Sequence, residues 1–148
     1  MTAIASPFHG LATELHMTSA IDGTLDASTK VGEVSSIGTL EQTANIIEYN
    51  AYGNTHKQKL VGQKDSGTLS ITINWIAGDT GHTALKAKYD SGAEQTFAVK
   101  WISGNENAVA QFVGYVSSFS IDTPVEDVVS ANIEIAIDGA VSFALETV

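Results

Sequence analysis

Residues 67–76, GTLSITINWI, alternate apolar and polar side chains more regularly than any other part of the chain. One face of this segment carries Leu69, Ile71, Ile73 and Trp75, and the other carries Thr68, Ser70, Thr72 and Asn74. A period of two, with β-branched and aromatic residues, is typical of a strand that has one buried face. We therefore expect a β protein in which this strand covers one side of the core.

Less regular patterns of the same kind predict most of the remaining strands. They fall at residues 12–21, 31–37, 57–61, 95–102, 108–122, 128–137 and 141–145, with one more near 45–50. Asp138 and Gly139 predict a turn between the last two strands. Residues 22–30 and 38–56, where the alternation is weakest, are expected to form mainly loops.

One helix is expected at about residues 80–89. Asp79 is a suitable N-cap, and Gly92 lies near the C′ position, where glycine commonly ends a helix. The chain is therefore interpreted as one domain over residues 1–148, with an N-terminal arm at 1–11. Its expected architecture is mainly β, an antiparallel β-sandwich or part-barrel with one flanking α-helix.

Composition excludes several classes of protein. The 148 residues include no cysteine, so no disulfide framework or thiolate metal site is possible. No apolar run approaches the roughly 18 residues of a membrane-spanning helix. The formal net charge is −10, and all seven basic residues are lysines. A protein that reads nucleic-acid sequence is therefore not expected, because such proteins depend on arginine and on positive charge.

The charges are distributed unevenly along the chain. Residues 1–56 sum to −5 and residues 101–148 to −7, whereas residues 57–100 sum to +2. This pattern is compatible with ordinary scatter of surface charge. It is also compatible with self-complementarity, in which the middle segment of one copy contacts an end segment of another. The lysines Lys57, Lys59 and Lys64 are then the candidate contact residues.

A search for catalytic chemistry finds no constellation. The four histidines are too widely spaced for a local metal motif, and no nucleophile elbow or phosphate-binding loop is present. Glu126 and Asp127 are adjacent in a predicted loop and point in different directions. Trp75 and Trp101 could form a sugar-stacking platform, but tryptophan at a strand end more often completes a core. We assign no catalytic, cofactor-binding or metal-binding residues, and we do not expect an enzyme.

Two segments resemble a known family. Residues 62–89, GQKDSGTLSITINWIAGDTGHTALKAKY, are similar to the middle of the major tail tube protein of long-tailed bacteriophages. Residues 107–144, which include Gly114-Tyr115 and the run PVEDVVSANIEIAIDGAVSF, resemble its C-terminal half. The short motifs agree in order and spacing, and the resemblance covers about residues 33–144.

The resemblance implies a structural virion protein that forms six-membered rings. In that family the rings stack into a hollow tube, and neighbouring inner sheets join into one β-barrel around a lumen that conducts DNA. The implied partners are further copies of the chain and the tape measure, terminator and tail tip proteins. DNA passes without sequence-specific binding, and no membrane or cofactor is involved. The implied location is the virion tail, with the host cytoplasm before assembly.

On this interpretation, polar strand faces that carry acids line the lumen. The candidates are Ser130, Asn132 and Glu134, with Glu14 a weaker one. Lys57, Lys59 and Lys64 are the candidates for contacts between subunits or between rings. Two alternatives remain open: a monomeric carbohydrate-binding or ligand-binding β-sandwich that uses Tyr49, Tyr52 and Trp101, and the inner tube of a contractile tail or secretion system.

Overall fold

Nine strands and one helix make up the part of the chain that the computed structural model describes, which is residues 13–18, 29–102 and 106–147. The strands are β1 (Thr13–Thr18), β2 (Thr29–Val31), β3 (Val34–Ile37), β4 (Thr43–Tyr49), β5 (Gln58–Asp65), β6 (Thr68–Asn74), β7 (Gln95–Ile102), β8 (Glu106–Asp122) and β9 (Ser130–Thr147). The helix α1 spans Thr80–Ser91, between β6 and β7. The predicted mainly antiparallel β fold with one flanking helix is therefore confirmed.

Seven strands form one antiparallel sheet in the order β2-β1-β7-β8-β9-β6-β3, and β4 pairs only with β5. The long strands β8 and β9 each take part in both halves of this sheet. Residues 107–114 of β8 pair with β7, whereas residues 130–136 of β9 pair with β6. We call the part made of β3, β6, residues 130–136 and residues 115–122 the β6 half. The β7 half contains β1, β2, β7 and the remaining parts of β8 and β9.

A single core lies between the two halves. The β6 half contributes Leu69, Ile71, Ile73, Ile133 and Ile135, and the β7 half contributes Leu15, Phe97, Val99 and Phe112. Because these side chains come from both halves and pack in one cluster, the sheet must bend so that its halves face each other. Full burial of each large apolar side chain contributes about 1.5–3 kcal/mol to folding.

The bend brings the two edge strands of the sheet close together. Only Gly32 and Glu33 separate β2 from β3, and Glu33 in this short connection has a left-handed φ of 54°. The Glu33 carbonyl accepts a hydrogen bond from the Asn74 backbone N–H at 2.8 Å. Among the described strands β2 and β3 remain edges, so the sheet is a part-barrel that is not closed.

Helix α1 begins and ends as its sequence predicts. The Asp79 carboxylate accepts from the backbone N–H groups of Gly81 and His82, and the N–H of Gly92 in the left-handed conformation (φ 67°) donates to the Lys88 carbonyl. Leu85 is buried in the core. Within the described residues, no helix is long and apolar enough to cross a bilayer.

Two local predictions were wrong. Residues 31–37 are not one strand, because Gly32 and Glu33 divide them between β2 and β3. Asp138 and Gly139 do not form a hairpin turn. They lie inside β9, where the register with β8 shifts and Gly139 has a φ of +82°. Within residues 38–56, the strand expected near 45–50 is present as β4.

Two expectations concern residues that lie wholly or mostly outside the described part of the chain. The N-terminal arm at 1–11 lies outside the described residues, and so does most of the expected loop 22–30. Its last two residues, Thr29 and Lys30, belong to β2.

Candidate functional site

One surface of the β6 half is built almost entirely from small polar side chains. Its members share the side of the sheet opposite the core and occupy adjacent positions on β6, β8 and β9. They are Ser70, Thr72, Asn74, Ser118, Ser120, Asp122, Ser130, Asn132 and Glu134. We call this surface the hydroxyl face. Its only charged members are acids.

The side chains of the hydroxyl face are joined by hydrogen bonds across the strands. The Thr72 hydroxyl donates to Asn132 Oδ1 at 3.0 Å, and the Ser120 hydroxyl donates to the Asn132 carbonyl at 3.4 Å. Asn132 and Glu134 are exposed, and Ser130 is half-buried. The surface is therefore an ordered polar layer that can face water over several strands.

Three of the four residues proposed as lumen-lining lie together on this face. Ser130, Asn132 and Glu134 follow one another on β9, as the alternating pattern predicts. Glu14 lies elsewhere, on β1, which two strands separate from β9 in the sheet. Its role as a lumen residue stays a prediction that the hydroxyl face does not support.

Glu14 has charged neighbours of its own. Lys30 Nζ donates to its carboxylate at 2.8 Å, and His16 Nε2 lies 3.0 Å from the other oxygen. Partial burial raises the pKa of the Glu14 carboxyl, but the hydrogen bonds from Lys30 and His16 outweigh this, so the pKa is lowered overall. The carboxylate therefore stabilises the β1–β2 edge.

The second candidate surface is a two-stranded hairpin that projects from the body. We call β4, β5 and residues 50–57 between them the hairpin. Every residue of β4 is exposed, and β5 is nearly so. Ile46 lies opposite Val61, and Ile47 lies opposite Leu60 on the other face. All four side chains are about half exposed or more, so both faces of the hairpin present apolar surface to solvent.

The three candidate contact lysines all lie on the hairpin, in two places. Lys57 and Lys59 share the Glu48 carboxylate, at 3.6 and 3.9 Å. One carboxylate between two ammonium groups leaves an excess of positive charge. Lys64 lies at the root of the hairpin, beside a cleft of about 610 Å³ that separates the hairpin from Gly139 and Val141 of β9.

Sequence reasoning missed the exposed apolar character of the hairpin. The signal was present in the adjacent pairs Ile46-Ile47 and Leu60-Val61. Neighbouring residues on a strand point to opposite faces, so two such pairs place apolar side chains on both sides of the hairpin. A strand that packs on a single core would show alternation instead.

The two tryptophans are part of the core rather than of a binding platform. Trp75 stacks on the ring of His82, with centroids 5.7 Å apart, and meets the edge of Phe119 at 5.4 Å. Trp101 is half-buried against the same core. Tyr49 and Tyr52 are exposed on the hairpin. In the described residues, no three histidine, aspartate or glutamate side chains are placed to hold a metal ion.

Comparison with known sequences identifies one family. The model of a family described as lambda phage tail tube protein matches residues 18–144 of the chain. No curated protein sequence matches.

Comparison with solved structures finds the same fold in several tail and injection assemblies. The SPP1 tail tube aligns with a TM-score of 0.68 at 16% identity, over 96% of this chain and 80% of that chain. A sheath/tube terminator of the extracellular contractile injection system PVC aligns with a TM-score of 0.72 at 14% identity, over 96% and 99%. The tail of an empty GTA particle, computed with C6 symmetry, aligns with a TM-score of 0.67 at 14% identity, over 92% and 98%.

Proposed function

Because the chain belongs to the lambda phage tail tube protein family and has a structural tail tube role, we propose that its copies form six-membered rings that stack into a hollow tail tube. DNA passes through this tube into the host cell. The hydroxyl face is the observation that carries the proposal, since it offers a broad polar surface without a basic residue. The proposed partners are further copies of the chain and the tape measure, terminator and tail tip proteins, met in the host cytoplasm before the tail is complete.

Ring closure follows from the strand order of the β6 half. Its four strands, in the order β8-β9-β6-β3, alternate in direction. The first and last strands therefore run in opposite directions. When identical copies are related by rotation about a tube axis, β3 of one copy meets residues 115–122 of the next in an antiparallel arrangement. These two edges have no other strand partner among the described residues, and pairing them removes both edges.

The resulting barrel is wide enough to be hollow. Six copies of a four-stranded half give about 24 strands, whereas a barrel of about eight strands is filled by its own side chains and one of 16–18 leaves an aqueous channel. The hydroxyl face lines this channel, with Ser130, Asn132 and Glu134 at its surface. Acids on the wall repel phosphates and keep the duplex from binding as it passes.

The hairpin supplies contacts between copies. Lys57, Lys59 and Lys64 lie on an element that is almost entirely exposed in the single chain and presents apolar side chains on both faces. An isolated two-stranded hairpin is marginally stable at best in water. Burial of the hairpin against neighbouring copies removes its apolar side chains from water and stabilises it.

Electron microscopy of the purified protein is the first test of this assembly. Negative staining of the concentrated protein, with light scattering beside it, should show hollow tubes or six-fold rings. Protein that stays monomeric at every concentration, with tail tip proteins added as an initiator, contradicts the proposal.

Cysteine labelling tests the lining of the tube. The chain contains no cysteine, so Asn132→Cys introduces a single thiol on the hydroxyl face. In assembled tubes this thiol should react with a small maleimide but not with a maleimide on a bulky polymer. Unassembled Asn132→Cys protein is the matched control and should react with both. Equal reaction of the bulky reagent with tubes and subunits contradicts a position in the lumen.

A contractile system is the second candidate setting, because a component of the PVC injection system has a similar fold. An inner tube of such a system has a sheath around it. Tubes that bind a sheath protein encoded beside this chain would favour this setting, and tubes that complete a tail without a sheath would favour the long-tailed one.

A further inference from the structure

The hairpin and the loop between β8 and β9 lie at opposite ends of the β6 half. The hairpin leads directly into the start of β6, where Thr68 pairs with Ala136. The β8–β9 loop joins the sheet at the other end of β6, where Asn74 pairs with Ser130. The seven residues of β6 separate the two ends by roughly 20 Å.

The β8–β9 loop is acidic and apolar at once. We call residues 123–129, TPVEDVV, the acidic loop. Val125 is 100% exposed and Val128 is 58% exposed, and Glu126 and Asp127 are exposed between them. The Val128 backbone N–H donates to the Asp127 carboxylate at 2.7 Å, so the loop is locally folded. Residues 101–148 contain no lysine or arginine.

The hairpin has the complementary combination. Lys57 and Lys59 carry more positive charge than Glu48 balances, and Leu60 and Val61 are exposed beside them. Each of the two surfaces therefore pairs exposed aliphatic side chains with charge of one sign. Like charges oppose a contact between two hairpins or between two acidic loops, so the electrostatics favour a contact between unlike ends.

We propose that the hairpin of one copy binds the acidic loop of a copy in the next ring of the tube. This proposal rests on the proposed function and names the surface that receives the hairpin. Because the two surfaces lie at opposite ends of the body, each copy presents the hairpin at one end and the acidic loop at the other. A head-to-tail contact of this kind does not close on itself, so it repeats from ring to ring and builds a filament.

Two double variants test the pairing. Lys57→Glu with Lys59→Glu makes the hairpin acidic, and Glu126→Lys with Asp127→Lys makes the acidic loop basic. Each variant alone then places like charges at every contact between rings, and we expect loss of tubes under electron microscopy. In an equimolar mixture, each hairpin finds a loop of opposite charge on the other variant. We expect the mixture to form tubes.

Net charge is controlled within the experiment. The hairpin variant changes the formal net charge from −10 to −14 and the loop variant changes it from −10 to −6, because each substitution shifts the charge by two. Lys86→Glu with Lys88→Glu, on α1, has the same net charge as the hairpin variant and should still form tubes. Circular dichroism and tryptophan fluorescence check that every variant is folded.

A cross-link provides a second measurement that does not depend on charge. Tyr52 and Val125 are fully exposed, one on each surface. A chain with Tyr52→Cys and Val125→Cys should form a ladder of disulfide-linked copies when its tubes are oxidised, whereas each single variant has no cysteine on the facing surface and should give no ladder.

The possible results separate the two proposals. Tubes from the mixture alone, together with the ladder, support the pairing. Tubes from either charge variant by itself, a mixture of folded charge variants that forms no tubes, or tubes of the double-cysteine chain that give no ladder overturn it. Wild-type protein that forms no rings or tubes at all contradicts the proposed function instead.

Discussion

His82 shows how one buried polar residue joins three parts of the chain. It is fully buried in the first turn of α1, where the Ile76 backbone N–H donates to its Nδ1 at 3.0 Å. Its Nε2 hydrogen-bonds the Gly32 carbonyl. Because a carbonyl can only accept, Nε2 is the donor in this hydrogen bond. His82 thus ties α1 to the β2–β3 connection and to the end of β6.

We expect His82→Phe to destabilise the folded chain. Phenylalanine can keep the stacking on Trp75, but it leaves the partly buried Gly32 carbonyl and Ile76 N–H without this partner. The loss should be about 2–4 kcal/mol, measured by urea unfolding of the unassembled protein with tryptophan fluorescence. His56→Phe, at an exposed position in the hairpin, is the control and should change stability by less than about 0.5 kcal/mol. Equal midpoints for the two variants would show that the histidine bridge contributes nothing.

Glu14 predicts a dependence of stability on pH. Since its pKa is lower in the folded chain than the ordinary value of 4.5, its ionised form stabilises folding above that value. This contribution is lost as pH falls through the lowered pKa. Wild type should therefore lose more stability than Glu14→Gln between pH 7 and pH 3, as read from urea midpoints at both pH values. The same loss in both proteins would exclude Glu14 as a source of the dependence.

At the scale of elements, strands that alternate regularly over a single core were predictable from the sequence, and the bends within long strands were not. Strand β6 and helix α1 follow from local pattern and caps, and the polar side of β9 was assigned correctly because Ile133 and Ile135 alternate with Asn132 and Glu134. The turn expected at Asp138 failed because the sequence signal for a turn and for a strand irregularity is the same. Whether Gly139 ends a strand or bends it depends on the length of its partner β8, a long-range property.

Gly114 marks the place where β8 passes from one half of the sheet to the other. A Cβ at this position would lie 2.7 Å from the Ala136 carbonyl oxygen and 2.9 Å from Ile135 Cγ2. Backbone atoms in a paired strand cannot move away easily, so Gly114→Ala should destabilise the chain by about 1–3 kcal/mol. Gly78→Ala, where a Cβ would meet nothing within 4 Å, is the matched control. Thermal unfolding of both variants gives the comparison, and a Gly114→Ala protein as stable as the control would contradict the close approach.

The hairpin predicts a difference between free and assembled protein. Trypsin cleaves after lysine, and Lys57, Lys59 and Lys64 lie on an exposed element that opens at little cost in free energy. We expect rapid cleavage in this segment of the unassembled protein, and protection in tubes. Lys86 and Lys88, in α1, should be cut more slowly in both states. Mass spectrometry of the fragments identifies the sites, and equal cleavage of the hairpin in tubes and subunits would show that it is not covered on assembly.

At the scale of the whole molecule, composition anticipated the kind of surface but not its location. The absence of arginine and the net charge of −10 argued against a nucleic-acid binder. The hydroxyl face places that acidic character next to an extended array of serine, threonine and asparagine. The sequence could indicate Ser130, Asn132 and Glu134 because they alternate on one strand. It could not show that Ser118, Ser120 and Thr72 lie beside them, since those neighbours depend on the pairing of distant segments.

The charge of the hydroxyl face should control how much DNA the tubes retain. Glu134→Lys adds a ring of lysines to the proposed lumen, and each lysine can displace counterions from a phosphate. Tubes of this variant should retain about tenfold more DNA than wild-type tubes at low salt, with the difference falling as salt is raised. Glu41→Lys, which makes the same charge change at another exposed position, should not raise retention. Co-sedimentation of tubes with duplex DNA measures it, and equal retention by both variants would place Glu134 outside the lumen.

The placement of the hairpin and the acidic loop at opposite ends of the body gives the proposed tube a direction. One terminus displays basic hairpins and the other displays acidic loops, so no single capping protein fits both. A factor that starts growth and a factor that stops it must therefore carry surfaces of opposite charge. Elongation should proceed from the two termini at unequal rates.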